Sequence, residues 1–446
     1  MNQQELQHLL SRAAFGMSVQ HLERYKHKSR SEVVEDLFAR SNSVIPLSLD
    51  FSELLKEADT TRKQNKTQVA ALLKKNKNKW LELNEQWMEH IMSSEAELRE
   101  RMCLFWTNHF VCKDRNVYHM QLYLNLLREK ALGNFGTLVK QVSKQPAMLK
   151  YLNGRQNRKV SPNENFAREL MELFTLGEGH YSECDVREVA RAFTGYSHNF
   201  KGDFILRKKQ HDFGKKRVLG QVGFFNGDNI IDIILDQEQC AKFICTKLYT
   251  YFVNPIPNTT HINEMVKVFS KSLDITNVMR FLFLEDWFYD ATNRGVKIKS
   301  PVDLLASAYR LWPYKFESNK TYFKLQKLLG QELLNPPNVA GWPGDRSWID
   351  VNTLMIRLKL PSLLYGINLK TDKSIPGFLK KHINPVKAES SAQFLELQYR
   401  SLSNEELIDL VLTGSVSFEK SQHCIHEDSL SLTLVRLMSV PEFQMA

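Results

Sequence analysis

Residues Ser161–Gly177 read SPNENFARELMELFTLG and contain the clearest structural signal in the chain. Ser161 offers an N-cap hydroxyl, Pro162 takes the first helical position, and Glu164 lies three residues past the cap, as in a capping box. Apolar residues recur on one side at helical spacing, namely Phe166, Leu170, Leu173 and Phe174. The stretch therefore predicts a capped amphipathic α-helix.

The helical period extends over most of the chain. Ser300-Pro301-Val302-Asp303 repeats the order of serine cap, proline and acidic residue, and Ser182–Asp185 is a weaker version. Residues 62–93 suit one long helix, or two with a break near Asn76–Lys79. Apolar residues also recur at helical spacing in residues 4–14, 30–41, 95–110, 117–132 and 138–143. The sequence therefore predicts a mainly α, large multi-helix globular protein.

Two segments depart from this period. Residues 203–206 and 217–220 flank a basic turn around His211–Gly214, which predicts a small β-hairpin near 203–220. Residues 335–348 (NPPNVAGWPGDRSW) are too rich in proline and glycine for a helix. Because Trp342 and Trp348 are costly to leave in water, we expect an ordered loop there.

The length of 446 residues fits two or three domains, or one large helical domain. Pro255, Pro257 and neighbouring polar residues predict a break near residues 254–263. The predicted regions are an N-terminal helical region (1–95), a central helical region with the signature stretch and the hairpin (96–254), and a C-terminal helical region (255–446). The three regions can also pack as one large domain.

Composition favours an ordinary globular protein, with 43% hydrophobic and 25% charged residues. No apolar run approaches the roughly 18–20 residues that a membrane span needs. The N-terminus lacks a basic segment followed by an apolar stretch, so no signal peptide is visible. The six cysteines include no CxxC pair, as in a reducing compartment. These features predict a cytoplasmic location.

The formal net charge is +10, which favours anionic partners such as nucleic acid, acidic membranes or acidic glycans. The positive residues cluster in Lys63–Lys79, in Arg207–Arg217 and around Lys370–Lys381. Such runs are also typical of solvated faces. Lysine without interleaved arginine and aromatic residues is a poor footprint for nucleic acid, so nucleic-acid binding is the weakest of these options.

A charged stripe lies opposite the apolar side of the Ser161–Gly177 helix and consists of Asn165, Arg168, Glu169 and Glu172. One interpretation is a carboxylate pair beside a basic partner, suited to metal binding or acid–base catalysis. The other is structural, because Glu164 can complete the capping box while Arg168 pairs with Glu164 and Glu172 along the helix. The residues alone leave both open.

Two histidines are further candidates. His109 shares the apolar side of its helix with aromatic residues, where a histidine is usually part of the core. As a metal ligand it needs carboxylates from another helix, which Glu169 and Glu172 could supply, but no Glu-x-x-His motif is present. A divalent metal is therefore an open option. His211-Asp212 lies in a loop, where either a functional pair or a turn-shaping aspartate fits.

Other catalytic signatures do not occur in the sequence, including GxxxxGK[ST], HExxH, GxSxG and paired zinc cysteines. A P-loop enzyme and a Rossmann dehydrogenase are therefore not expected.

The stretch from Asn163 to Gly177 resembles the signature of a bacterial family called domain of unknown function 1800. Further segments match that family in order and extend the resemblance over nearly the whole chain: 9–16 (LLSRAAFG), 105–110 (FWTNHF), 146–149 (PAML), 181–196, 211–214 (HDFG), 247–253, 336–343 (PPNVAGWP) and 439–444. Residues of interest by this resemblance are His109, Asn163, Glu164, Arg168, Glu169, Glu172, His211 and Asp212. The family has no settled activity. Its members are often encoded beside a sulfatase-like partner, and many relatives are exported, unlike the location predicted above.

Three functional hypotheses follow. The first is an enzyme, with metal-assisted or acid–base hydrolysis as the leading reaction class, whose catalytic residues are His109, Glu169, Glu172, His211 and Asp212. The second is a non-catalytic binding or assembly protein that acts with a sulfatase-like partner or an acidic glycan. The third, nucleic-acid binding through the basic patches, is the weakest. The predicted ligand-binding residues are Asn163, Asn165, Arg168, Trp342 and Trp348.

Overall fold

The computed structural model describes residues 1–53, 66–199, 201–316, 318–366, 395, 397–413, 421–426 and 429–446. The basic cluster around Lys370–Lys381 and part of the Lys63–Lys79 cluster lie outside these residues. Helices dominate the described part of the chain, in order α1 (Gln3–Ala13), α2 (Val19–Tyr25), α3 (Arg30–Arg40), α4 (Lys66–Ser93), α5 (Glu97–His109), α6 (Val117–Glu129), α7 (Phe135–Val142), α8 (Pro146–Tyr151), α9 (Asn165–Glu169), α10 (Glu183–Ala192), α11 (Gly227–Leu235), α12 (Glu238–Phe252), α13 (Thr259–Phe269), α14 (Ile275–Leu284), α15 (Pro301–Leu311), α16 (Asn319–Leu329), α17 (Val351–Tyr365), α18 (Asn404–Val411) and α19 (Leu430–Met438). The predicted mainly α fold is confirmed.

Most predicted helix starts are also confirmed. Ser300 and Ser182 each accept a hydrogen bond in a capping box with the aspartate three residues later, and Pro301 stands at the first helical position of α15. The segment from residue 62 to 93 contains one unbroken helix, α4, and no break near Asn76–Lys79.

The predicted cap at Ser161 is wrong. Ser161 forms an isolated β-bridge with Arg158, and α9 begins only at Asn165, with Glu164 at the N-cap position. After Glu169 the helix widens into a π-helix over Leu170–Thr175. The Thr175 hydroxyl donates to the Leu170 carbonyl at 2.5 Å, five residues back, which supports the wider turn. The apolar side still faces inward as predicted.

In the described part of the chain, the β-strands form two small antiparallel hairpins, not one. Strand β1 (Tyr196–His198) pairs with β2 (Phe204–Leu206), and β3 (Lys216–Val218) pairs with β4 (Gln221–Gly223). Residues 203–206 and 217–220 therefore do not pair with each other, because each finds a nearer partner across a tighter turn. The Pro/Gly/Trp loop is ordered as predicted, since both of its tryptophans are buried.

Helix α5 lies at the centre of the molecule, with nearly every side chain buried. It buries four charged residues, each of which contacts a polar partner outside the helix. Glu97 pairs with His21 and Arg310, Glu100 pairs with Arg128, and Arg101 pairs with Asp303, while Arg99 donates to backbone carbonyls. Buried charges of this kind are retained only with close partners. They fix the register of α5, whose last turn carries Asn108 and His109.

A hydrophobic core cluster includes residues from all three predicted regions, such as Trp87, Trp106 and Trp312. The division into three regions stays a prediction. No helix in the described residues combines the length and apolar character that a membrane span requires.

Candidate functional site

A cavity of about 500 Å³ opens between the end of α1, the end of α5, α12, the segment before α15 and the Pro/Gly/Trp loop. Its lining includes five cationic side chains, and we call it the cationic cavity: Arg12, Arg101, Lys247, Lys297 and Lys299. The acidic side chains on its wall are those of Asp303 and Asp345, and Ala446, the last residue of the sequence, lines it as well. An excess of positive side chains around one cavity is unusual, because like charges repel one another in a low-dielectric interior.

Backbone pairing places two of these cations side by side. Residues 297–299 are extended, because Ile298 forms an antiparallel bridge with Met445 and the Lys299 N–H donates to the Gln444 carbonyl at 2.8 Å. In an extended segment, residues i and i+2 point to the same side. Lys297 and Lys299 therefore lie on one side of the segment, immediately before the Ser300 cap of α15.

Among the described residues, Arg101 is the one member of the set that forms an ion pair with a carboxylate. It forms an ion pair with Asp303, and its Nε donates to the Ala14 carbonyl at 2.6 Å. Its guanidinium also lies 4.0 Å from the centroid of the Phe15 ring. Arg101 and Asp303 thus join α1, α5 and α15, and most of their charge is cancelled within the pair.

Arg12 is buried with an exposure of 3%. Its Nη2 donates to the Asn293 carbonyl at 2.9 Å, whereas Nε and Nη1 have no hydrogen-bond partner among the described residues. Burial, followed by the nearby charge of Arg101, lowers the pKa of Arg12 to about 9. A buried guanidinium with unsatisfied N–H groups is costly, so it normally marks strain or a site for a missing partner.

The pKa values of Lys297 and Lys299 are lowered, like that of Arg12. Burial and then the Arg12 charge lower the pKa of Lys297 to about 7, and burial lowers that of Lys299 to about 7 as well. The Lys297 ammonium donates to the Thr250 carbonyl at 2.6 Å. Within the described part of the chain, neither lysine has a carboxylate at ion-pair distance. Both ammonium groups are therefore destabilised by their surroundings.

One wall of the cavity is the Pro/Gly/Trp loop, which α5 holds through Asn108. The Asn108 Oδ1 accepts from the Trp342 N–H at 2.7 Å, and its Nδ2 donates to the Trp342 carbonyl at 3.2 Å. Gly341 has a φ of 84°, and a Cβ there would collide with the Asn108 side chain and lie 2.9 Å from the Asn108 carbonyl oxygen. Only glycine fits this approach. Trp342 and Trp348 both line the cavity, which agrees with their prediction as ligand-binding residues.

His109 also lines the cavity, and its Nε2 lies 3.0 Å from the Phe174 carbonyl. That carbonyl is in the last turn of the π-helix, where no intrahelical donor reaches it. Nε2 therefore carries the proton, since a carbonyl only accepts. Burial and then the Lys247 charge lower the pKa of His109 to about 3. The imidazole is neutral at ordinary pH and is a weak proton acceptor there.

The charged stripe of the signature helix is largely satisfied by local partners. Arg168 donates to both oxygens of Glu183, at 2.7 and 2.8 Å, and to Glu164 at 3.3 Å. The predicted pairing of Arg168 with Glu164 is confirmed. Glu172 instead accepts from the Tyr181 hydroxyl at 2.9 Å. Burial and then the Glu172 charge raise the pKa of Glu169, which makes it the least satisfied member.

The two asparagines of this helix differ. The Asn163 side chain accepts from the Asn165 N–H at 3.2 Å, and the Asn163 backbone N–H donates to the Asn157 side chain at 3.0 Å. Asn163 therefore shapes the approach to α9. Asn165 is exposed to solvent. Neither residue lines the cationic cavity.

His211 and Asp212 lie between the two hairpins. The His211 Nδ1 is 2.7 Å from the Thr194 carbonyl, and the ring is buried. Asp212 accepts from Arg191 at 2.8 Å and from the Gly214 N–H at 2.7 Å. The hydrogen bond from Arg191 is the main reason that the pKa of Asp212 is lowered. These contacts are those of a turn that is fixed to α10.

The structure thus brings together three of the predicted site residues, His109, Trp342 and Trp348, on one cavity wall. Glu169, Glu172, His211 and Asp212 are not among the residues that line it. Among the described residues, no three His, Cys, Asp or Glu side chains are grouped as metal ligands. The catalytic roles of these residues stay predictions.

Sequence reasoning missed Arg12, Lys297 and Lys299 as site residues. A signal for the lysines was present, because Lys-Ile-Lys directly precedes the capping box at Ser300. Alternating lysines next to a well-defined helix start are placed on one side of an ordered segment. Arg12 had a weaker signal, as an arginine in the otherwise small and apolar end of α1.

Comparison with known proteins gives one result. A family model described as "Protein of unknown function (DUF1800)" matches residues 8–445, which is nearly the whole chain. The chain belongs to this family. No curated protein and no solved structure matches it. The DUF1800 assignment confirms the resemblance seen in the sequence motifs and adds no activity.

Five of the nine segments that carry the DUF1800 resemblance line the cationic cavity. Segment 9–16 contributes Arg12, segment 105–110 contributes Asn108 and His109, and segment 336–343 contributes Trp342. Lys247 opens segment 247–253. The signature stretch reaches the cavity through Leu173 and through the Phe174 carbonyl that holds His109. Segments that are far apart in sequence therefore line the same cavity.

Proposed function

We propose that this DUF1800 protein binds a small anionic ligand in the cationic cavity. The observation that carries the proposal is the set of three cations, Arg12, Lys297 and Lys299, that line one cavity without a carboxylate at ion-pair distance among the described residues. Arg12 and Lys299 are buried, and Lys297 is half-buried. An anion placed among them would relieve the repulsion and restore the hydrogen bonds that burial removes. The volume of about 500 Å³ suits a small molecule or the end of a larger one.

The ligand class is one with a carboxylate, sulfate or phosphate group attached to a flat or apolar body. The cations would hold the anionic group, whereas Trp342 and Trp348 would pack against the body of the ligand. An acidic sugar at the end of a glycan meets both conditions. This proposal keeps the binding hypothesis and leaves a sulfatase-like partner and a cytoplasmic location as separate predictions.

The test is a calorimetric titration with sulfate at constant low ionic strength. The Lys297→Met/Lys299→Met variant removes two cavity cations, and Lys208→Met/Lys209→Met removes two exposed lysines from the Arg207–Arg217 cluster. The titration is made at pH 6, below the pKa of about 7 of both cavity lysines, so that both variants lose nearly the same net charge. We expect the cavity variant to weaken sulfate binding at least about tenfold and the surface variant to change it less than about twofold. Equal losses in both would overturn the proposal.

The enzyme hypothesis has one specific observation in its favour, the raised pKa of Glu169, which burial and Glu172 cause together. A carboxylate with a raised pKa can act as a general acid. Glu169 does not line the cationic cavity, so this role would require a second site. Loss of a hydrolytic activity in Glu169→Gln, with sulfate binding intact, would support it.

A further inference from the structure

Lys299 differs from the other lysines of the cavity in burial, since Lys297 is half-buried and Lys247 is exposed. The Lys299 side chain is buried, with an exposure of 3%, and it lines the cavity. Its Nζ lies 4.1 Å from the centroid of the Phe443 ring. No hydrogen-bond acceptor contacts this Nζ in the described ranges of the chain. Lys297, in contrast, already donates to the Thr250 carbonyl.

The charged groups that face Lys299 come from several elements. Asp303 of α15 favours the ammonium form, whereas Arg357 of α17 and Arg101 of α5 oppose it. Arg101 is already paired with Asp303, and Arg357 donates to the Lys299 carbonyl at 2.6 Å. An amine in a dry site next to other cations loses its proton more easily and becomes a nucleophile. The pKa of about 7 agrees with this arrangement.

We propose that Lys299 captures the carbonyl group of an aldehyde or ketone that also carries an anionic group. The inference rests on the proposed function, since the remaining cations would hold the anionic group. Among electrophiles that an amine attacks, an acyl donor would leave a stable amide and block the site. A carbonyl compound reacts reversibly, so the amine is recovered.

The step is balanced without an oxidant or a reductant. The Nζ lone pair attacks the carbonyl carbon, a proton moves from nitrogen to oxygen, and the hydroxyl group leaves as water. A carbon–nitrogen double bond joins the ligand to Lys299. The protonated form of this bond is cationic, and the face of the Phe443 ring would stabilise it. The anionic group of the ligand offsets the added charge.

The experiment uses glyoxylate, an aldehyde with a carboxylate, and sodium cyanoborohydride, which reduces the double bond and fixes the adduct. The labelled site is located by peptide mass spectrometry at pH 7. We expect Lys299 to be labelled at least tenfold faster than the exposed Lys209, and glyoxylate to label it faster than the neutral aldehyde propanal. Lys299→Met should lose this label, whereas the exposed control Lys208→Met should keep labelling at Lys299.

Sulfate binding and competition by sulfate distinguish the inference about the Lys299 amine from the proposed anion site. If sulfate slows the labelling of Lys299, both the amine and the anion site are supported. If Lys299 is labelled no faster than Lys209 while calorimetry shows sulfate bound, the amine inference is overturned and the anion site stands. If Lys299 is labelled rapidly but sulfate neither binds nor competes, the amine inference stands and the proposed function fails.

Discussion

The signature helix and the cationic cavity are both rich in charged residues, but only on the helix are most of these charges paired. On the helix, Arg168 binds both oxygens of Glu183 and also contacts Glu164, so its positive charge is balanced by neighbours. In the cavity, Arg12 and Lys299 are buried without carboxylate partners among the described residues. Ion pairs at a surface need no ligand, because each charge already has a partner. A buried charge without a partner is costly and implies a missing ligand.

The largest expected effect comes from exchanging one arginine in each region. Arg12→Met should weaken sulfate binding about 10- to 100-fold, because a charge-assisted hydrogen bond contributes about 1.5–3 kcal/mol. Arg168→Met removes the same charge from the signature helix and should change the affinity less than about twofold. Calorimetry of both variants checks this. A larger loss of sulfate affinity in Arg168→Met than in Arg12→Met would place the anion site at the signature helix instead of the cavity.

The next effect concerns the wall of the cavity. Gly341→Ala places a Cβ against Asn108 in a backbone conformation with a φ of 84°. We expect the free energy of unfolding to fall by about 1–3 kcal/mol, and the tryptophan fluorescence to shift as the loop moves. Gly330→Ala is a matched control, because its φ is 91° but no atom lies within 4 Å of the added Cβ. A similar loss in both variants would show backbone strain alone.

The affinity for sulfate should also depend on pH. Because the pKa values of Lys297 and Lys299 are both about 7 in the free protein, both amines lose their charge as the pH rises through neutrality. Sulfate binding should weaken by about tenfold between pH 6 and pH 8.5, since bound anion favours the protonated amines. Titrations across this range measure it. A sulfate affinity of the wild type that does not change with pH would contradict the role of Lys297 and Lys299 in binding the anion.

The smallest effect is a gain in stability. The folded pKa of Lys299 lies below the unfolded value of 10.5, so the unfolded chain binds more protons between these values. The resulting loss in the free energy of unfolding is complete below pH 7 and disappears as the pH rises toward 10. Lys299→Met should therefore raise the free energy of unfolding by about 1 kcal/mol at pH 6. In urea denaturation the exposed control Lys209→Met should change little, and a loss of stability in Lys299→Met would exclude this account.

Local patterns in the sequence predicted the helices well. The Ser300 cap formed as expected because every interaction in a capping box lies within four residues. The Ser161 cap did not form because the Ser161 backbone is engaged in a turn with Arg158, three residues earlier, and a long-range hydrogen bond from the Lys159 N–H to the Gln210 carbonyl holds that turn. The π-helix after Glu169 was also outside the reach of a 3.6-residue period, because it depends on the Thr175 hydroxyl.

The candidate site could be predicted only in part. His109, Trp342 and Trp348 were found because aromatic and histidine residues in ordered segments are conspicuous in a sequence. Lys297 and Lys299 were not, because their position at the cavity depends on an antiparallel bridge from Ile298 to Met445, almost 150 positions away in the printed numbering. A lysine on a solvated face and a lysine in a cavity look alike until such long-range contacts are known.

The most direct test of the account is the location of a bound anion. Crystals grown with selenate, an anomalous scatterer with the shape of sulfate, can be measured at the selenium absorption edge. The account predicts an anomalous peak within hydrogen-bond distance of Arg12, Lys297 or Lys299 inside the cavity. Peaks confined to exposed lysines, such as those of the Arg207–Arg217 cluster, with an empty cavity at the same selenate concentration, would contradict it.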